Sequence, residues 1–264
     1  LHFPKVSPEG EEKSRKQNRE VHVEGLNLRS KPKVSVIITT KNEEKYIENC
    51  LKSVKNQTLK PVDIIVTDSE SDDRTVKIAR KYTNKILVKK CGISEGRNMG
   101  AKMARGDILA FLDADTMLLP NTLEKVVEAY VDKRVVGASC PVLPMSADIR
   151  YVSVYMIFNA LAKMSITVGK PHIAGMFCTY RKDAFIKSGG FDKECGICED
   201  FHLSVRMRKL GKIKFVMHAL ALTSHRRIQK MGIRTPDRYI RAWIKFLLTN
   251  KSYSLEWYNK HMAR

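Results

Sequence analysis

Residues 106–120 read GDILAFLDADTMLLP, and this stretch constrains the fold more than any other. Ile108–Leu112 is short, apolar throughout and entered from a Gly-Asp turn. Such a run reads as a strand buried on both faces, the kind found inside parallel sheets covered by helices. Two acids follow at once, Asp113 and Asp115. Open α/β sheets place their ligands at the carboxyl ends of their strands. Two carboxylates at i and i+2 in extended chain point the same way, and like charges so placed call for a cation. Hard divalent ions such as Mg²⁺ and Mn²⁺ take one or two carboxylates plus substrate phosphates. Alone, a D-x-D after a strand is usually just a solvated loop, so the rest of the chain has to decide.

The flanking sequence repeats the strand-then-polar pattern. Lys33–Thr40 is a β-branched strand ending in Lys41-Asn42-Glu43-Glu44, and Tyr46, Ile47, Cys50, Leu51 and Val54 follow at helical spacing. Val62–Thr67 is a second strand ending in Asp68-Ser69-Glu70-Ser71-Asp72-Asp73, with a helix expected over Thr75–Tyr82. Lys85–Val88 is a short third strand, and Gly92–Ala104 a loop entering a helix that carries Arg97. After the central strand come a helix over Asn121–Tyr130, with Asn121 as N-cap, and a strand over Val135–Cys140. Strands alternating with helices mean an α/β fold with a central, mostly parallel sheet. Beyond Pro144 the rhythm changes: helix over Ile149–Val168, strand over His172–Tyr180, short helix over Lys182–Gly190, helix over Phe201–Leu210, and strands over Lys214–His218 and Ala221–His225.

A chain of 264 residues with 43% hydrophobic content is long enough for its own core. Its six cysteines are therefore expected as reduced thiols, and Cys195-x-x-Cys198 lacks the second pair a zinc site would want. Leu1–Ser30 is charged, with no secretory signal, and no apolar stretch is long enough to span a bilayer. A cytoplasmic protein is expected. The net charge of +20 points to anionic partners. On a helical wheel of Arg238–Leu248, Ile240, Trp243, Ile244 and Leu247 oppose Arg238, Arg241 and Lys245. A basic amphipathic helix with Trp suits peripheral contact with an anionic membrane face, unless it packs on the domain.

Four segments in order resemble family 2 glycosyltransferases of GT-A fold: VSVIITTKNEE (34–44), DSESDDRT (68–75), GRNMGAKMARGDILAFLDAD (96–115) and GGFDKECGICEDFHLSVR (189–206). The resemblance covers roughly residues 33–225. It implies a Rossmann-like three-layer domain, split into a nucleotide-sugar half (33–145) and an acceptor half (146–225). An arm (1–32) precedes the domain and a basic helical tail (226–264) follows it. It implies inverting, metal-dependent transfer from a UDP- or GDP-sugar to an acceptor hydroxyl on a glycan or lipid-linked acceptor, with Mn²⁺ or Mg²⁺ as cofactor, and the net charge adds a lipid phosphate as an acceptor class. Carried over by position, Thr39 and Glu43 border the nucleoside, Asp68 contacts the base, and Arg97 supports base and diphosphate. Asp113 falls near ribose and metal, Asp115 is the main metal ligand, and His225 is a third metal contact. Asp200 is the catalytic base, with Glu199 beside it. The residues' own alternatives are an N-cap for Asp68 or Asp73, a surface cation for Arg97, a helix N-terminus for Glu199-Asp200, and a structural role for the lone His225.

Two departures matter. Lys41 stands where many relatives have an aromatic that stacks on uracil, and no Gln-x-x-Arg-Trp motif follows His225-Arg226-Arg227-Ile228-Gln229, so single addition is expected. Competing classes fare worse. A nucleic-acid-binding protein would not line strand ends with acids, so nucleic acid is not expected as a partner. A nucleotidyltransferase would want a glycine-rich loop near the first strand, yet no glycine occurs between Thr40 and Gly92.

Overall fold

The computed structural model describes residues 32–195 and 199–231. All of them belong to one compact unit that begins at Pro32. The segment Arg238–Leu248, Cys198 and all of the expected arm but Pro32 lie outside the described residues.

Four strands come first along the chain: β1 (Val34–Thr40), β2 (Asp63–Asp68), β3 (Lys85–Val88) and β4 (Ile108–Asp113). They pair in parallel in the order β3-β2-β1-β4. The helices between them are α1 (Ile47–Lys55), α2 (Thr75–Ala79) and α3 (Ile93–Met103). Side chains of β1 and β4 alternate between two cores. Val34, Val36, Ile38, Ile108, Ala110 and Leu112 face a core shared with Ile47, Cys50, Leu51 and Val54 of α1. Ile37, Leu109 and Phe111 face a second core shared with Ala101 of α3. Burial on both faces is why these strands read as unbroken apolar runs. In α1, Glu48 in the first turn and Lys52 and Lys55 in the last suit the helix dipole.

Next come β5 (Thr116–Leu118), α4 (Thr122–Glu128) with a short 3₁₀ turn, β6 (Val135–Ser139), β7 (Val142–Pro144), α5 (Ile149–Thr167), β8 (Phe177–Arg181), α6 (Lys182–Lys187), α7 (Glu199–Arg208), β9 (Lys212–Phe215), β10 (Ala221–Thr223) and α8 (Arg226–Met231). The large sheet runs β3-β2-β1-β4-β8-β6-β9, and β8 alone is antiparallel to its neighbours β4 and β6. A second sheet, β5-β10-β7, joins three short strands across the end of β4.

Several expected elements shift. The strand expected over His172–Tyr180 begins only at Phe177, and the helix expected from Thr75 stops at Ala79. Asn121 stands at the N-cap of α4, but its side chain makes no cap hydrogen bond. Among the described residues no helix is long and apolar enough to cross a membrane.

Candidate active site

Strand register sets the rim. Thr39 on β1 pairs with Asp113 on β4, and Thr40 pairs with Asp68 on β2. Three of the expected donor-site positions therefore lie along one edge at the carboxyl ends of the parallel strands. Asp68 is fully buried and serves its own loop, accepting from Ser71 N at 2.8 Å and from Ser71 Oγ. Asp73, not Asp68, ties to the next helix: it accepts from Thr75 N and also from Glu44 N of the first loop. Lys41 reaches across the rim to Ser69 O at 3.3 Å.

Arg97 is no surface cation. It is 2% exposed, and its guanidinium lies over the Phe191 ring, 5.0 Å from the centroid. One terminal nitrogen donates to Glu199 Oε1 at 2.9 Å. The other donates to Asp113 Oδ1 at 2.9 Å and to Gly175 O at 3.0 Å. Burial opposes a charge here, but Asp113 and Glu199 outweigh it and hold the Arg97 pKa above the ordinary arginine value. Arg97 thus braces the strand-end acid to the first turn of α7. Gly175 permits the approach: a Cβ there would stand 2.8 Å from the guanidinium.

Asp200 lies beside this brace, also in the first turn of α7. Its Oδ2 accepts from Gly175 N at 2.7 Å and its Oδ1 from Phe201 N at 2.9 Å. His172 Nε2 stands 3.9 Å from Oδ2, at ion-pair rather than hydrogen-bond distance, with its ring stacked on Phe201. Burial pushes the Asp200 pKa up, but His172, Arg97 and the Gly175 N–H more than offset it, and the group stays below its ordinary value. Glu199 goes the other way: burial and the neighbouring Asp200 charge raise its pKa, and Arg97 offsets this only in part. Two adjacent acids are thereby set apart, Asp200 holding the lower pKa of the two.

Asp113 and Asp115 do not share a direction. The chain turns at Ala114-Asp115 before β5, so the extended geometry expected for D-x-D ends at Asp113. Asp113 faces Arg97. Asp115 Oδ2 lies 3.1 Å from Nε of Arg226, whose terminal nitrogen also pairs with Glu43 Oε1. The His225 ring packs tilted against Tyr151, ring centroids 4.5 Å apart, and its Nδ1 is buried without a hydrogen-bond partner. Among the described residues no three His, Cys, Asp or Glu side chains converge on one metal position, so Asp113, Asp115 and His225 are not gathered in this conformation. The donors still suit a hard cation. Glu43 Oε2 is buried with no partner, and a guanidinium already holds the position between Glu43 and Asp115.

The sequence model of glycosyl transferase family 2 matches residues 35–189, more than half of the chain. The chain belongs to that family. Its matched span runs from β1 to the turn after α6 and so takes in the rim, Arg97 and Gly175. Among relatives, the Bacillus subtilis protein named uncharacterized glycosyltransferase EpsJ is 28% identical over 207 residues, 72% of this chain and 60% of that protein. The O-antigen chain rhamnosyltransferase RfbN of Salmonella typhimurium is 25% identical over 209 residues, 73% of this chain and 67% of that protein. The match to a second Bacillus subtilis protein, EpsH, spans 31% of that protein. The mannosyltransferase PcManGT of Pyrobaculum calidifontis, solved with GDP-Man and Mn²⁺, superposes with a TM-score of 0.65 at 20% identity, over 85% of this chain and 67% of that one. This family 2 glycosyltransferase therefore has the GT-A fold.

Gly175, His172 and Arg226 escaped the sequence reading. Gly175 and His172 lie in a segment that reads as strand, and Arg226 is one of many cations in a basic stretch.

Proposed function

We propose that this glycosyltransferase moves a sugar from a nucleotide-diphosphate sugar to a hydroxyl of a glycan or lipid-linked acceptor, with inversion, metal dependence and single addition. The observation that carries the reading is the Arg97 brace. It ties the strand-end acid Asp113 to Glu199, next to an Asp200 held ionised. A donor half (33–145) and an acceptor half (146–225) would meet there. The GDP-Man and Mn²⁺ bound by PcManGT, and the UDP-GlcNAc bound by Staphylococcus aureus TarS in its solved complex, support a nucleotide-sugar donor. Nothing supports the nucleic-acid or nucleotidyltransferase alternatives.

In this reading Asp200 takes the proton of the acceptor hydroxyl. The oxygen then attacks the anomeric carbon opposite the diphosphate, the new glycosidic bond forms as the bond to the diphosphate breaks, and configuration inverts. Mn²⁺ or Mg²⁺ would be held by Asp113 and Asp115, with the His225 nitrogen as a further donor, and would supply charge neutralisation at the diphosphate. Thr39, Glu43 and Asp68 line the nucleoside side. Arg97 keeps Asp113 and Glu199 in place instead of reaching outward.

The test is a donor screen across UDP- and GDP-sugars with Mn²⁺, comparing wild type with Asp200→Asn. Turnover should fall about 10²–10⁴-fold, the usual contribution of a positioned base, with donor affinity nearly unchanged. EDTA should abolish turnover. If Asp200→Asn loses donor binding and keeps turnover, Asp200 is a binding group and Glu199 becomes the candidate base.

A further inference from the structure

Arg226 opens α8, and its guanidinium spans the rim. It pairs with Glu43 of the first loop and, through Nε at 3.1 Å, with Asp115 after β4. The Tyr46 ring lies beneath it, with the guanidinium carbon 4.6 Å from the centroid. One cation so joins three segments remote in sequence: the first loop, the turn after β4 and the start of α8. The side chain is 32% exposed, so it has an open side toward which to move. Glu43 Oε2, buried and unpartnered, is a lone-pair site that the guanidinium leaves unused.

We propose that Arg226 is a latch: it neutralises Glu43 and Asp115 while the site is empty and must release Asp115 before a divalent ion is held there. The inference rests on the reading of Asp115 as a metal ligand given above. The physical reason is competition between cations for the same acids. A guanidinium seated between Glu43 and Asp115 repels a divalent ion brought to Asp115, so metal alone binds against that repulsion or the cost of breaking a part-buried ion pair. A diphosphate that arrives with the metal gives the displaced guanidinium a new anion within side-chain reach. Metal and nucleotide then favour one another, and by linkage each tightens the other by the same factor. The latch makes metal bind weakly to the site alone and more tightly to the site with nucleotide bound.

The experiment is Mn²⁺ titration of the full chain by electron paramagnetic resonance, alone and with UDP or GDP. For wild type, binding should be weak alone and tighten roughly tenfold or more with nucleotide. Arg226→Gln should bind Mn²⁺ alone roughly tenfold more tightly than wild type and show less tightening by nucleotide. Tyr46→Leu, which keeps the guanidinium but removes the ring under it, should shift both values the same way by less, and it serves if Arg226→Gln unfolds. Equal affinities of wild type and both variants for Mn²⁺ alone overturn the latch. If Asp115→Asn still removes Mn²⁺ binding in that case, the metal reading stands and only the latch falls. If no form binds Mn²⁺ with or without nucleotide, the metal reading fails and the latch with it.

Discussion

Arg97 and Asp200 show how much one buried side chain decides. Removing one partner of a buried, hydrogen-bonded ion pair costs about 3–5 kcal/mol, far above the worth of an exposed pair. Arg97 holds two acids and a carbonyl at once, so it fixes the relation of β4 to α7 more firmly than any surface bridge could. His172 acts on the finer scale of protonation. It sits against Asp200 and helps hold its pKa below the ordinary value against the opposing effect of burial. In its proposed role as base Asp200 must be ionised, so activity should fail as pH drops through that lowered pKa. His172→Gln keeps a polar side chain but removes the imidazole. We expect the acid limb of the kcat profile to move to higher pH, with the plateau above neutrality changed far less. A variant that lowers the plateau and leaves the limb in place would show that His172 acts by packing on Phe201 instead. Asp200, Glu199 and Arg97 are legible in the sequence only through the family resemblance. The inward turn of Arg97 is not legible there, because its direction is set by Gly175 and Phe191, which lie 78 and 94 residues away in the chain.

At the scale of elements, legibility follows from where the pairing information lies. β1, β2 and β4 were readable because each is an apolar run buried on both faces, and strand-helix alternation then implies parallel pairing. The antiparallel placement of β8 between β4 and β6 was not readable, since the residues it meets are remote and its own sequence has no period that distinguishes direction. The three-residue strands β5 and β7 are too short for any period, whereas β10 falls inside the strand expected over Ala221–His225; the three pair in the small sheet that follows the turn separating Asp113 from Asp115. The entry to β4 is more tightly specified. Gly106 N donates to Ser35 Oγ at 2.8 Å, and a Cβ at 106 would lie 2.6 Å from Ser35 N and 2.8 Å from the Val34 carbonyl carbon. These are backbone atoms of the central strand and cannot step aside as a side-chain tip would. Gly106→Ala should therefore force β1 and β4 apart at their start and cost about 1–3 kcal/mol in denaturant unfolding, the range for overpacking. An unchanged midpoint would show that the strand entry is slack.

For the whole molecule the controlling quantity is charge. With 48 basic and 28 acidic side chains, the net charge of +20 leaves the folded chain repelling itself, and each acid that protonates adds to that repulsion. Asp63 is the acid on which the base of the sheet depends. Its side chain is fully buried at the start of β2, where it accepts from Ser35 Oγ of β1 at 2.9 Å, from Arg105 N at 2.8 Å and Arg105 Nε at 3.0 Å before β4, and from Lys85 of β3. Burial alone would raise its pKa, but these donors overcome it and hold the carboxyl well below the usual carboxylate range. The unfolded chain, with an ordinary value near 3.9, takes up the proton first as pH falls. The stabilisation by Asp63 is therefore complete above about pH 5, and is lost as pH drops through the lower folded pKa. Asp63→Asn keeps the shape and removes the charge. It should cost about 1.5–3 kcal/mol at pH 7, the range for hydrogen bonds to a charged group. The variant lacks a proton to take up at this site, so its melting temperature should fall less steeply than that of wild type between pH 5 and pH 2, and the two curves should converge. Parallel curves over the whole range would place the acid sensitivity elsewhere among the paired carboxylates and leave Asp63 as a packing residue.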